Sequence, residues 1–199
     1  MKNTLKRALC VLLFVSMAFA ATAGPSLPTA ATGNTNVVFG GTAAWSNSAN
    51  IEGNSADASR VFSSTVVSSD DLIGSVFGFS IPAGSTINGI TFSETDSSVN
   101  DSLIFTGIKL MKAGSAVGTA KTLGTGNNLN SAGGTTTFGS SSDLWGTTWT
   151  ASDINNSGFG VVMAVQGDGA TIDNAKTRNW QVTITYTLPP SSSRMFQVF

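Results

Sequence analysis

The side chains that could carry acid–base or nucleophilic chemistry are few in this chain. It contains no histidine, and its single cysteine, Cys10, lies in an apolar stretch near the amino terminus. Triads of the Ser-His-Asp type and Cys-His pairs are therefore excluded, because both need an imidazole base. Eleven acidic residues remain, and a pair of carboxylates can hydrolyse glycosidic bonds. Most of these acids lie among Ser, Asn and Gly, where turn formation explains them, so we expect a protein that is not an enzyme.

Four aspartates are candidate metal ligands. Carboxylate and carbonyl oxygens in loops are the ligands that Ca²⁺ prefers, so a structural calcium ion is the cofactor to consider, and no other is expected. No segment has the spaced acidic loop of an EF-hand, and solvated turn residues are the alternative interpretation. The four candidates are Asp70, Asp71, Asp96 and Asp101.

Tryptophans are the candidate ligand-binding residues, because an exposed indole ring can stack on a sugar ring while polar neighbours supply hydrogen bonds. Trp145 and Trp149 lie in a polar stretch over 141–150. Trp45 is the third candidate, and its position is compatible with either an exposed or a buried ring. The alternative for Trp145 and Trp149 is an apolar lid over one end of the fold. Trp180 alternates with core residues, and we expect it to be buried.

The first 23 residues have the three parts of an export signal. A basic stretch over 2–7 precedes an apolar run over 8–21, and two small-x-small sites lie at 18–20 and 21–23. The apolar run is shorter than the roughly 18 to 20 residues that cross a membrane, so we expect cleavage after Ala23 and no membrane span in the mature chain. A retained N-terminal anchor is the alternative. The mature protein is expected to be extracellular, on the cell surface or in the periplasm.

Charge is sparse in the rest of the chain. Beyond residue 23 there are seven basic residues against eleven acidic ones, a net charge of −4. Nucleic acid is not an expected partner, because binding it needs clustered Lys and Arg to displace counterions from phosphates. Removal of Cys10 with the export signal also removes disulfide and thiol chemistry, so stability has to come from a packed core.

Short runs with an apolar residue at every second position predict strands joined by Gly-, Asn-, Ser- and Asp-rich turns. The clearest run covers 180–186, and a run over 72–81 with apolar residues on both faces predicts a central strand. Roughly eight to ten strands fit an all-β fold, a two-sheet antiparallel sandwich of jelly-roll or related Greek-key topology. A single helical turn is expected at 152–155, capped by Thr150 and Asp153.

These patterns divide the chain into four segments: a signal peptide over 1–23, a flexible N-terminal segment over 24–35, a β-sandwich domain over 36–187 and a C-terminal tail over 188–199. The N-terminal segment is Pro, Ala, Thr, Gly and Asn with hardly any bulky apolar side chain. The tail ends in an apolar stretch over 195–199. Either terminus could add a strand to a neighbour's sheet, so self-association through the termini is one hypothesis.

A set of short motifs resembles a module of phage tail-associated and virion proteins and of secreted bacterial proteins of unassigned role. The resemblance spans 44–187 and implies a β-sandwich without a catalytic motif. The turn over 81–87 is also similar to jelly-roll carbohydrate-binding modules of secreted polysaccharide-active proteins. Phage-associated relatives are not expected to carry an export signal, which favours a secreted role. The motifs are Ala44-Trp45-Ser46-Asn47, Phe77-Gly78-Phe79-Ser80-Ile81-Pro82-Ala83-Gly84-Ser85-Thr86-Ile87-Asn88-Gly89-Ile90, Ser142-Asp143-Leu144-Trp145-Gly146, Trp149-Thr150-Ala151-Ser152-Asp153-Ile154-Asn155, Gly158-Phe159-Gly160-Val161 and Val182-Thr183-Ile184-Thr185-Tyr186-Thr187.

The sequence therefore predicts a secreted or cell-surface, non-catalytic β-sandwich that binds a glycan or a surface protein, as in adhesion, or takes part in extracellular assembly. Two alternatives stay open. One is a structural subunit of a surface filament or phage-tail-like particle. The other is a polysaccharide-active enzyme that uses paired carboxylates.

Overall fold

The computed structural model describes residues 18–35, 38–53, 55–62, 67–97, 103–123, 134–167, 169 and 172–190. Within these residues there are ten strands, one 3-10 helix and one short α-helix. The strands are β1 (Ala20–Ser26), β2 (Ala30–Thr35), β3 (Ala58–Phe62), β4 (Asp71–Ser75), β5 (Thr86–Ser97), β6 (Leu103–Lys112), β7 (Ser115–Lys121), β8 (Gly134–Gly139), β9 (Gly160–Gly167) and β10 (Asp173–Thr187). The 3-10 helix is Ser48–Glu52, and α1 is Ala151–Asn155.

The strands form two antiparallel sheets, and the predicted all-β sandwich is confirmed. One sheet has the order β1-β10-β5-β8, with β3 also paired to β10, and the other has the order β2-β4-β9-β6-β7. Strands β3 to β10 pair from the outside inwards: β3 with β10, β4 with β9, β5 with β8, and β6 with β7. This nested pairing, divided between two sheets, is jelly-roll topology.

The core lies between the sheets and is built by the alternation that the sequence shows. In β10, Trp180, Val182 and Ile184 are fully buried, so the expected burial of Trp180 is confirmed. The Phe92 ring of β5 packs edge-on against the Trp180 indole at 5.2 Å between centroids. Strand β9 lies in the middle of its sheet, and Val162 and Ala164 are buried as well as Val161. Its continuous apolar run is typical of a strand that is covered on both faces.

The N-terminal segment differs from the prediction. Residues 24–35 were expected to be flexible, with the sandwich beginning at 36, but β1 pairs with β10 and β2 pairs with β4. Both strands lie at sheet edges, where backbone hydrogen bonds to a neighbour hold a strand that has few bulky side chains. Local composition does not reveal such pairing, because β10 and β4, the partners of β1 and β2, are distant in sequence.

The predicted strand over 72–81 is also wrong in its length and place. Strand β4 ends at Ser75 and is next to the edge strand β2 rather than central. Val76 and Gly78 follow with φ values of 58° and 70°, which a strand cannot accommodate. The chain from Val76 to Ser85 is therefore a linker between the two sheets, called here the β4–β5 linker.

The short helix α1 confirms the predicted capping. The Thr150 hydroxyl accepts a hydrogen bond from the Asp153 amide at 3.1 Å, and the Asp153 carboxylate accepts one from the Thr150 amide at 2.8 Å. This reciprocal capping box satisfies two amide groups that a helix start leaves free. It fixes the segment that carries Trp149 immediately before the helix.

Candidate functional site

Trp145 is part of the core rather than a surface platform. Only 1% of it is exposed, and its Nε1 donates to the Ile90 carbonyl at 2.9 Å. Its φ of 58° is unusual for a bulky residue, and the Asp143 carboxylate holds this conformation by accepting from the Trp145 amide at 2.7 Å. The Lys121 Nζ lies 4.9 Å from the centre of the indole ring. One ring face is therefore covered by a cation.

Trp149 is buried too, with 7% exposed. Its Nε1 donates to the Leu144 carbonyl at 3.0 Å, and the Phe159 ring packs edge-on against it at 5.6 Å. The Lys112 Nζ lies 5.0 Å from the ring centre. With Lys112 and Phe159 both packed against it, the indole has no open face for a sugar.

Trp45 is 5% exposed, and its Nε1 donates to the Asp70 carbonyl at 2.9 Å. The hypothesis that Trp145 and Trp149 are exposed stacking platforms is therefore wrong, and Trp45, for which the sequence left both possibilities open, is buried. Each indole N–H finds a backbone acceptor, as buried tryptophans usually require. The alternative, that Trp145 and Trp149 close one end of the sandwich, agrees with their burial.

The predicted calcium ligands are not brought together among the described residues. There, no group of three or more His, Cys, Asp or Glu side chains could hold a metal ion. Asp71 is fully buried and accepts from the amides of Val38 and Phe39 at 2.7 and 3.1 Å. Asp96 lies on β5 in the opposite sheet, with its side chain outside the described set, and Asp101 lies outside the described residues.

Two lysine–aspartate pairs accompany the two tryptophans. Lys121 Nζ is 2.5 Å from the Asp143 carboxylate, and Lys112 Nζ is 3.1 Å from the Asp153 carboxylate. The hydrogen bond from Lys121, with help from the Trp145 amide, lowers the pKa of Asp143 despite partial burial. For Asp153, burial acts to raise the pKa, but hydrogen bonds from Thr150 and then Lys112 outweigh it and lower the pKa.

A surface groove of about 470 Å³ lies between the end of the β4–β5 linker and the start of α1. Residues 83–87 form one wall and residues 149–152 the other. None of these residues is charged, and four carry hydroxyl groups: Ser85, Thr86, Thr150 and Ser152. The Ser85 Oγ is buried and has no hydrogen-bond partner within the described residues.

Asn155 holds the two walls together. Its Oδ1 accepts from the Ile81 amide at 2.7 Å, and its Nδ2 donates to the Ile81 carbonyl at 2.9 Å. The side-chain amide thus satisfies both backbone groups of one linker residue. The sequence predicted the turn over 81–87 and the helical turn separately, but no sequence signal connected them, since Asn155 and Ile81 are 74 positions apart.

No protein-family model, curated protein or solved structure matches the chain. The resemblance to phage-associated and carbohydrate-binding modules therefore stays a prediction. In the described part of the chain, no helix has the length and apolar character needed to cross a membrane.

Proposed function

We propose that this protein is an exported, non-catalytic β-sandwich that binds a neutral glycan in the groove between residues 83–87 and 149–152. The observation that carries the proposal is the chemistry of the groove walls, which combine apolar residues with four hydroxyl-bearing ones and have no charged residue. The Thr150 hydroxyl is already bonded to Asp153, whereas Thr86 and Ser152 are exposed on the two walls. Hydroxyl groups both donate and accept hydrogen bonds, as the hydroxyls of a sugar do. An anionic or cationic ligand would find no countercharge on these walls.

The size of the groove also supports a ligand. Small-molecule sites are about 300 to 1,000 Å³, and this groove has about 470 Å³.

The groove is held in shape before any ligand arrives. The Asn155 amide fixes the linker wall, and the Thr150–Asp153 capping box fixes the helix wall. A preformed site loses less conformational entropy on binding, which favours a useful affinity from few contacts. Trp149 also lines the groove, without the exposed ring that the sequence had suggested.

The positions of the carboxylates support a non-catalytic role. Asp57, Asp143 and Asp153 each pair with a basic side chain, and Asp71 accepts from two backbone amides. Glu94 is 1% exposed and accepts a hydrogen bond from the Thr177 hydroxyl. Each of these five carboxylates therefore has a structural role, which favours a non-catalytic protein over one that hydrolyses glycosidic bonds with a carboxylate pair.

A substitution that fills the groove tests the proposal. Ser152 is exposed on the helix wall, so Ser152→Trp would occupy the groove without disturbing the core. We expect the unmodified protein to bind at least one neutral glycan on an array, and we expect Ser152→Trp to lose that binding at unchanged melting temperature. Ser142→Trp is the matched control, because Ser142 is exposed and does not line the groove.

Two results would contradict the proposal: no binding to any neutral glycan, or binding that Ser152→Trp leaves intact. Binding that both Ser152→Trp and Ser142→Trp abolish would point to an effect of surface tryptophan rather than of the groove.

Assembly into a larger structure is the second candidate, and the edge strand β8 favours it. Strand β8 has the sequence Gly-Thr-Thr-Thr-Phe-Gly, without a charge, a proline or a bulge. Natural sheet edges usually carry one of these to prevent pairing with another chain. Sedimentation of the unmodified protein and of Thr135→Lys/Thr137→Lys tests this candidate. Oligomers that the two lysines disperse would support it, and a monomer in both cases would dispose of it.

A further inference from the structure

Strand β1 identifies the bond at which an export signal would be removed. This inference rests on the proposed export. Two small-x-small sites, 18–20 and 21–23, satisfy a signal peptidase equally well by residue type. We propose that cleavage takes place after Ala20, so that the mature protein begins at Ala21, and not after Ala23 as the sequence alone had suggested.

The two candidate cleavage sites differ in how many pairs between β1 and β10 each cleavage would remove. Ala20, Ala21, Thr22 and Ala23 lie opposite Thr187, Tyr186, Thr185 and Ile184, and Ser26 lies opposite Val182 after a bulge. Cleavage after Ala23 would remove the four consecutive pairs and leave the Ser26 pair. Cleavage after Ala20 would remove only the first of the four. The earlier site therefore preserves the edge strand.

The burial of the alanine side chains also favours cleavage after Ala20. Ala21 and Ala23 are partly buried, and Ala23 packs against the hydrophobic core. Their small size thus has a structural explanation, because a larger residue at either position would press on the sheet. Ala18 and Ala20 are exposed, and Phe19 between them is 63% exposed. Packing gives no reason for small residues at 18 and 20, whereas a peptidase recognises them.

Loss of residues 21–23 would also uncover part of a sheet edge. On the edge of β10 that pairs with β1, strand β3 pairs only with Asp173–Thr177. Residues 184–187 would therefore have no partner strand at that edge, although β5 would remain paired on the other side. An exposed row of backbone amides and carbonyls favours association with another chain. The product that begins at Gly24 is therefore expected to be both less stable and more prone to aggregate.

The experiment expresses the full 199-residue chain in a bacterial host that processes export signals and determines the mass of the exported protein. A mature form that begins at Ala21 is the expected result. A form that begins at Gly24 would overturn the inference while leaving export intact. A full-length chain that stays with the cells would overturn both this inference and the proposed export, so the two failures are distinguishable.

Two variants sharpen the result. Ala18→Leu spoils the upstream site only, and we expect it to abolish the form that begins at residue 21. Any exported protein that it yields should begin at Gly24 and melt at least about 2 °C lower. Ala21→Gln is the control for the first residue alone, because it spoils the downstream site and leaves residues 18 and 20 intact. Its product should still begin at residue 21, and its melting temperature is not compared because a larger side chain at 21 presses on the sheet. An Ala18→Leu product with the same first residue and melting temperature as the unmodified protein would contradict the inference.

Discussion

The two tryptophans at the end of the sandwich have the same companions but are held in different ways. Trp145 lies under Lys121, which pairs with Asp143, and Trp149 lies under Lys112, which pairs with Asp153. These sets are called here the Trp145 cluster and the Trp149 cluster. They differ in what fixes them to the rest of the fold.

Backbone hydrogen bonds fix the Trp145 cluster. The Asp143 carbonyl accepts from the Ile90 amide at 2.9 Å, and the Trp145 carbonyl accepts from the Thr119 amide at 2.8 Å. Side chains fix the Trp149 cluster instead: the Lys112 Nζ donates to the Thr148 carbonyl at 2.8 Å, and Asn155 reaches the β4–β5 linker. The attachment of the Trp145 cluster to the rest of the fold therefore depends on backbone hydrogen bonds. The attachment of the Trp149 cluster, which borders the groove, depends on single side chains, so a single substitution can weaken it.

The largest expected difference follows from truncating each tryptophan. Trp145→Ala should lower the free energy of unfolding by about 3 to 5 kcal/mol, because it leaves a large cavity and an unpaired Ile90 carbonyl. Trp149→Ala should cost about 3 kcal/mol, at the lower end of that range, since the groove beside Trp149 lets solvent fill part of the space. Urea denaturation measures both values. A Trp149→Ala variant that is less stable than Trp145→Ala would reverse the proposed ranking.

The Asn155 contact tests whether side chains alone attach the Trp149 cluster. Asn155→Ala removes two hydrogen bonds to Ile81 and should cost about 2 kcal/mol. Hydrogen exchange at the Ile81 amide should accelerate by more than the global loss of stability explains, because this amide loses its acceptor. The same amide should be unchanged in Trp145→Phe, which alters the other cluster.

Asn156→Ala is the matched control for this prediction. Asn156 is exposed and accepts one hydrogen bond from the Gly158 amide at 2.7 Å. Its replacement should cost less than Asn155→Ala and leave exchange at Ile81 unaffected. Equal exchange at Ile81 in the Asn155→Ala and Asn156→Ala variants would show that the linker is held by something else.

The sequence predicted the structural features that depend on residues close together in the chain. The capping of α1 requires only Thr150 and Asp153, three positions apart, and the burial of Trp180 follows from alternation along one strand. The burial of Trp145 could not be predicted in this way. It depends on a positive φ, which the sequence pattern did not indicate, and on the Ile90 carbonyl, 55 positions away.

The same reason explains the error in the N-terminal segment. Strand β1 is held by β10, at the other end of the domain, and the sequence of β1 carries only small residues because an edge strand can be held by backbone hydrogen bonds. The groove likewise needs two segments that the chain brings together from 83–87 and 149–152. Local patterns therefore indicated the all-β sandwich as a class but did not reveal that Trp45, Trp145 and Trp149 are buried.

The smallest expected difference between the two clusters concerns the pKa values of their aspartates, Asp143 and Asp153. Both carboxylates have a lowered pKa in the folded protein, so each stabilises the fold at pH values above the ordinary carboxyl pKa of 3.8. That stabilisation is lost as the pH falls through the lowered pKa. The hydrogen bond from Lys121 is the leading cause for Asp143, whereas for Asp153 burial acts most strongly, raising the pKa, and the hydrogen bonds from Thr150 and then Lys112 together outweigh it.

Lys121→Met should therefore raise the pKa of Asp143 further than Lys112→Met raises the pKa of Asp153, although each variant should cost less than about 1 kcal/mol in stability. Carboxyl ¹³C chemical shifts followed across an acid titration measure both midpoints, and each lysine variant serves as the other's control, because the uninvolved aspartate should keep its midpoint. The Asp153 midpoint should stay below the ordinary value in Lys112→Met, since the capping box remains. A larger change at Asp153 than at Asp143 would mean that Lys112, rather than the helix cap, sets the electrostatics beside the groove, and that the two clusters are alike after all.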